Sequence, residues 1–223
     1  MSFLPCIDIE PKTPATATVI LLHGLGADGN DFVPIVSEMR LPSSMAVRFI
    51  FPNAPSIPVS INGGYVMPAW YDITELNIDR KIDATQLIDS AEQIRRLIDR
   101  EIDRGIPSNR IVLAGFSQGG AVSYQTALTY MQPLAGLLCM STYFATRDTI
   151  TPNSANKNLP IFICHGSRDP MVPERLGLEA QERLVAMGYS VEYKSYPVEH
   201  SVCPEEIADM SQWLQRVLPN QVS

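Results

Sequence analysis

Arg110-Ile111-Val112-Leu113-Ala114-Gly115-Phe116-Ser117-Gln118-Gly119-Gly120 decides how the rest of this chain is read. Residues 111–116 are apolar throughout, as befits a strand covered on both faces, and a helical run over 118–131 follows directly. Between them Gly115-Phe116-Ser117-Gln118-Gly119 encodes a sharp strand-to-helix turn. The serine takes a strained backbone, and the glycines omit side chains that would collide with the neighbouring strand and helix. Such a turn holds the hydroxyl above the sheet, beside a helix N-terminus that favours developing negative charge.

The same rhythm runs outward in both directions. Short apolar or β-branched runs at 18–23, 47–52, 134–141, 160–165 and 190–196 read as further strands. Helical stretches at 30–40, 82–104, 174–187 and 204–218 lie between and after them. The clearest is 82–104, where Leu87, Ala91, Ile94, Ile98 and Ile102 form one apolar stripe and Asp89, Glu92, Arg96, Asp99 and Asp103 a solvated face. Pro173 and Pro204 suit first helical turns, and Gly105 and Gly188 suit helix ends. Strands alternating with helices predict a mostly parallel central sheet with helices on both faces, an α/β fold. Only 54–80 resists the pattern, with Pro55, Pro58, Gly63, Gly64 and Pro68 set among aromatics. A loop that long inside a compact domain is usually functional.

Composition narrows the function classes. Seventeen Lys and Arg against 24 Asp and Glu give a formal net charge of −7, and no basic run offsets it, so nucleic acid is not an expected partner. No apolar stretch approaches the ~18 residues a membrane span needs, and the first residues lack the basic start of a secretory signal, so a cytoplasmic protein without stable membrane insertion is expected. Cys6, Cys139, Cys164 and Cys203 show no metal-ligand spacing; neither metal nor cofactor is expected.

A serine hydroxyl needs a base, and the chain has three histidines to offer. His23 and His165 each end a strand and precede a glycine, as loop-shaping residues do. His200 follows the last strand, and the chain order nucleophile, acid, histidine selects it. The acid then lies between 117 and 200. Asp169, in the turn Gly166-Ser167-Arg168-Asp169-Pro170, fits better than Asp148, which stands further from a strand end. Its task is to hold the His200 tautomer and stabilise the imidazolium. A tetrahedral intermediate also needs donors for its oxyanion. The backbone N–H of Gln118 and that of Leu25, in the loop His23-Gly24-Leu25-Gly26-Ala27-Asp28-Gly29, are the natural pair. That loop overlaps a dinucleotide-binding pattern but lacks the Lys of a phosphate-binding loop.

These residues stand in order with Pro52-Asn53-Ala54-Pro55, Trp70-Tyr71-Asp72, Val172-Pro173 and His200-Ser201. The set resembles the phospholipase/carboxylesterase family of α/β-hydrolases, which includes bacterial carboxylesterases and acyl-protein thioesterases. Ala114 and Val198-Glu199 depart from what many members carry, without touching a catalytic atom. The resemblance implies the α/β-hydrolase fold, the triad Ser117, Asp169 and His200, and a loop 54–80 folded over an acyl pocket. Met67, Trp70, Tyr71, Ile73 and Leu76 become candidates for lining it. Larger hydrolases of this fold insert a cap domain after the strand that follows the nucleophile helix. Here only 142–157 separates two strands, so a single domain over 1–223 without a cap, and an open site, are expected.

The sequence therefore points to a carboxylesterase working through an acyl-enzyme. An acyl-protein thioesterase or lysophospholipase using the same site is the alternative. A non-catalytic binding protein on this scaffold would be expected to lack a triad member. The partner expected is a small-molecule or lipid ester or thioester; a homodimer is compatible with the sequence.

Overall fold

The computed structural model describes residues 3–75 and 81–219. Chain order begins with β1 (Cys6–Ile9) and β2 (Ala17–Leu22), then a 3-10 turn (Gly29–Phe32), the short helix α1 (Ile35–Glu38) and β3 (Val47–Pro52). A hairpin, β4 (Ser56–Val59) and β5 (Tyr65–Pro68), precedes α2 (Ala84–Asp103), β6 (Ile111–Phe116), α3 (Gln118–Thr129) and β7 (Gly136–Met140). The chain finishes with β8 (Ile161–Gly166), α4 (Glu174–Ala186), β9 (Val191–Tyr196) and α5 (Pro204–Val217).

Among the described residues, seven strands form one sheet in the order β1-β3-β2-β6-β7-β8-β9, all neighbours parallel except β1 against β3. Every residue of β2, β3, β7 and β8 is buried, because both faces are covered. Alternation sorts them. Ile20, Leu22, Leu113, Cys139 and Ile163 join the apolar cluster that takes in α2, α3 and α4. Val19, Leu21, Ala114, Met140 and Cys164 join the other, with Ile35 of α1 and Met210, Trp213 and Leu214 of α5. The predicted α/β architecture, with helices on both faces, is the one observed. Between β7 and β8 stands no more than a 3-10 turn (Ser154–Asn156), so nothing of domain size caps the sheet.

Three departures from the sequence reading have local causes. The single helix expected over 30–40 is split at Pro34, which lacks an N–H to continue the ladder. β1 is short and carries Asp8, too weak a pattern to read alone; it is defined by its pairing with β3, from Cys6 opposite Pro52 to Ile9 opposite Phe49. The stretch taken as a loop over 54–80 contains the β4–β5 hairpin, with Ile57 opposite Met67.

The strand order reverses between β2 and β6. β3 lies on one side of β2 and everything from β6 onward on the other. In open α/β sheets ligands bind outside the carboxyl ends of strands at such a switch point.

Candidate active site

Ser117 stands at that point, between β6 and α3, with φ 52° and ψ −120°. Non-glycine residues seldom hold this backbone, and it persists where the surroundings over-determine it. Here they do. The Ser117 N–H donates to the Met140 carbonyl at 2.9 Å, and its carbonyl accepts from Thr142 Oγ1 at 2.6 Å and the Gly120 N–H at 3.0 Å. The glycines are steric necessities. A Cβ on Gly115 would lie 2.5 Å from the Gly119 backbone, and one on Gly119 would lie 2.5 Å from the His23 carbonyl oxygen. The turn is therefore sharp because two backbones interpenetrate where side chains would be.

Asp169 follows β8, and His200 follows β9. Their loops are knitted together: the Arg168 N–H donates to the Val198 carbonyl at 3.0 Å, and a Cβ on Gly166 would meet the Glu199 carbonyl at 2.3 Å. Asp169 Oδ2 lies 2.6 Å from His200 Nδ1, while Oδ1 accepts from the N–H groups of Met171 and Val172, each at 2.8 Å. Burial by itself would raise this carboxyl. The His200 bond and the two backbone donors outweigh it and hold Asp169 below the ordinary carboxylate range. An ionised Asp169 fixes the proton of His200 on Nδ1 and leaves Nε2 as the basic nitrogen. The His200 ring rests against Phe116, with centroids 4.7 Å apart. The rival acid, Asp148, is exposed and pairs with Arg147.

Ser117 and His200 line one cleft of about 350 Å3, together with Leu25, Gln118 and Phe116. Gly24 carries the β2 loop past Ser117; a Cβ there would sit 3.4 Å from the Ser117 Cβ. The Gly26 N–H and the Gly29 N–H are held, by the Pro68 carbonyl and Asn53 Oδ1, each at 2.8 Å. Among the described residues, by contrast, the N–H groups of Leu25 and Gln118 have no acceptor. Two unused donors thus sit beside the serine at a helix N-terminus, where an anion is favoured.

Met67 and Ile73 also line the cleft, joined by Ile61, Tyr143, Met171 and Val172. Trp70 and Tyr71 do not. Both are fully buried behind it, where the Trp70 indole N–H donates to the His23 carbonyl at 2.9 Å and the Tyr71 and Tyr143 hydroxyls meet at 2.7 Å. They build the wall rather than the surface of the groove. Leu76 lies outside the described residues.

Sequence reasoning missed what holds the covering segment down. The Gln118 side chain is a buried clamp: its Oε1 accepts from the Trp70 N–H at 2.8 Å and its Nε2 donates to the Tyr71 carbonyl at 2.7 Å. His23 is a second. Its Nδ1 lies 2.7 Å from the Gly24 carbonyl oxygen and so carries the proton, leaving Nε2 to accept from the Ala54 N–H at 3.1 Å. Burial lowers the basicity of this ring, and likewise of His165, whose Nε2 donates to the Val172 carbonyl at 2.8 Å behind Asp169. The support of Asp169 by the two residues after Pro170 had a readable signal, since aspartate in a turn accepts from backbone two and three positions on. The Gln118 clamp had none, because its partners are 47 and 48 residues away.

A strained serine at the switch point of a mostly parallel sheet, with a histidine and a buried carboxylate at neighbouring strand ends, defines an α/β-hydrolase. The phospholipase/carboxylesterase family profile matches residues 6–218. Acyl-protein thioesterase 1 of Cryptococcus neoformans var. neoformans is 39% identical over 95% of this chain and 97% of that protein. Acyl-protein thioesterase 1 of Gibberella zeae is 40% identical over 92% of each chain. The crystal structure of Zea mays acyl-protein thioesterase 2 superposes with a TM-score of 0.86 at 28% identity, over 97% of this chain and 100% of that one. The chain belongs to the phospholipase/carboxylesterase family, a serine-hydrolase family acting on ester and thioester bonds. Among the described residues, no helix is long and apolar enough to cross a membrane.

Proposed function

We propose that this chain is a single-domain cytoplasmic hydrolase of acyl esters and thioesters, that Ser117, His200 and Asp169 are its triad, and that acylated proteins are its preferred substrate class. The observation that carries the chemistry is the 2.6 Å Asp169–His200 bond, made at the rim of the cleft that Ser117 also lines. Ser117 Oγ attacks the acyl carbon while His200 Nε2 takes its proton, and Asp169 stabilises the imidazolium. The carbonyl oxygen becomes an oxyanion within reach of the Leu25 and Gln118 N–H groups. Collapse breaks the bond to the alcohol or thiol, which leaves with the proton from His200. Water then attacks the acyl-enzyme, with His200 again as base, and the free acid departs.

Both relatives reported above are named acyl-protein thioesterase 1, which favours the thioester over the simple carboxylesterase expected from the sequence. The apolar walls of the cleft, Leu25, Ile61, Met67 and Ile73, suit an acyl chain. The test compares the chain with its Ser117→Ala variant on an S-palmitoyl cysteinyl peptide and on p-nitrophenyl esters. Hydrolysis of both falls by about four orders of magnitude or more while the fold is kept, and a fluorophosphonate labels Ser117. Activity surviving the substitution would mean a different nucleophile.

A further inference from the structure

The bond cleaved at Ser117 has two limbs, and the cleft described above accounts for one. A second groove, of about 270 Å3, adjoins it and shares Asp31, Phe32 and Phe116 with it. The Phe32 and Phe116 rings, 5.5 Å apart, form the ridge between them. On the far side the groove is walled by Ser201 and Val202, the residues directly after His200, and by Ile207 of α5. His200 must hand its proton to the leaving group, so the leaving group departs beside His200, where this groove opens. The acyl limb then takes the more apolar cleft.

The charge of the second groove is one-sided. Asp31 and Glu38 line it, both exposed, and among the described residues no Lys, Arg or His does. Neither carboxylate has an ion-pair partner among the described residues. Arg40 lines the next groove, which shares Glu38 and Ile207 with this one.

We propose that this groove receives the carrier of the acyl group, and that it selects polypeptide carriers with Lys or Arg beside the acylated cysteine. The inference rests on the thioesterase reading and deepens it. A phosphate-bearing lysolipid would bring negative charge against Asp31 and Glu38, whereas a basic peptide complements them and offers backbone and apolar stems to Phe32, Ile35 and Val202.

The experiment uses three S-acyl cysteinyl peptides that share one acyl chain and differ in flanks of Lys, Ser or Glu. A lysophospholipid and a p-nitrophenyl ester of the same chain complete the series. The wild-type chain cleaves the Lys peptide with kcat/KM about three- to tenfold above the Glu peptide, the scale of exposed charge pairs, and the ratio shrinks as salt rises. In the double variant Asp31→Asn, Glu38→Gln the Lys/Glu ratio falls to near one. Because the ratio is read within each variant, any general loss of activity cancels. Equal rates on all peptides, a ratio the double variant leaves intact, or a lysophospholipid cleaved faster than the Lys peptide would overturn the groove's role alone. Failure on every peptide with the p-nitrophenyl ester still cleaved would overturn the thioester reading as well.

Discussion

The Ser117 turn and the segment that covers it, residues 54–75, are neighbours held by opposite means. At the turn, backbone meets backbone: Gly115 against Gly119, Gly119 against the carbonyls of Leu22 and His23, the Ser117 N–H on Met140. In the covering segment, side chains from elsewhere grip its backbone. Gln118 takes the Trp70 N–H and the Tyr71 carbonyl, the Ser90 hydroxyl donates to the Trp70 carbonyl, Gln86 takes the Asp72 N–H, and His23 takes the Ala54 N–H. The contrast teaches where rigidity is spent. Ser117 is fixed mainly by backbone atoms, which have no rotamers, with the Thr142 hydroxyl added. The wall of the cleft hangs on a few polar side chains, each removable without touching the sheet.

Breaking the turn should be the costlier. In Gly119→Ala the new methyl would lie 2.5 Å from the His23 oxygen and 2.6 Å from the Leu22 oxygen, both backbone atoms of a central strand end. Neither can rotate away, so α3 must lift off β2. A loss of about 3 kcal/mol or more in unfolding free energy is expected, by urea denaturation, together with loss of esterase activity. A stable Gly119→Ala enzyme would show that the turn is less tightly set than its contacts require.

Loosening the wall should cost less in stability and act differently on activity. Gln118→Ala keeps the backbone N–H proposed as an oxyanion donor but removes the side chain that accepts from the Trp70 N–H and donates to the Tyr71 carbonyl. Buried groups left unpaired cost about 1–3 kcal/mol each, and entering water offsets part of that, so a loss of about 2 kcal/mol is expected. The disturbance falls on the segment carrying Met67 and Ile73, so KM for a long-chain ester rises more than for an acetyl ester. Equal effects on both chain lengths would place the damage at the serine instead of the wall.

This difference also explains what could be read from the sequence. The turn writes itself into the chain as glycines at fixed spacing, because steric exclusion acts between near neighbours and admits one residue type. The strand ends that carry Asp169 and His200 were legible for a related reason, because strands are short apolar runs. The β4–β5 hairpin was not legible. Its strands hold four residues apiece, Pro58 and Pro68 among them, and Tyr65 and Val66 face solvent, so no alternation survives. Trp70 and Tyr71 look like groove residues by type and turn out to be wall, because their burial depends on partners from the loop after β2, α3 and the loop after β7.

The smallest effect expected is the most selective. His23 and His165 are both buried and both less basic than an ordinary histidine, so the unfolded chain binds protons more readily than the folded one. Their contribution is intact above the unfolded pKa of ~6.5 and is lost as pH falls below it, under about 1 kcal/mol per ring between pH 7 and 6. The two rings differ in what protonation breaks. His165 already donates from Nε2 to the Val172 carbonyl, and that bond survives a second proton. His23 accepts at Nε2 from the Ala54 N–H, and a second proton turns the acceptor into a donor. Hydrogen exchange followed from pH 7 to 5.5, corrected for intrinsic rates, should therefore show protection lost at the Ala54 amide while the Ser117 amide, bonded to Met140, keeps its own. If both amides loosened together, the wall and the turn would be one cooperative unit, and the division of labour drawn between them would fail.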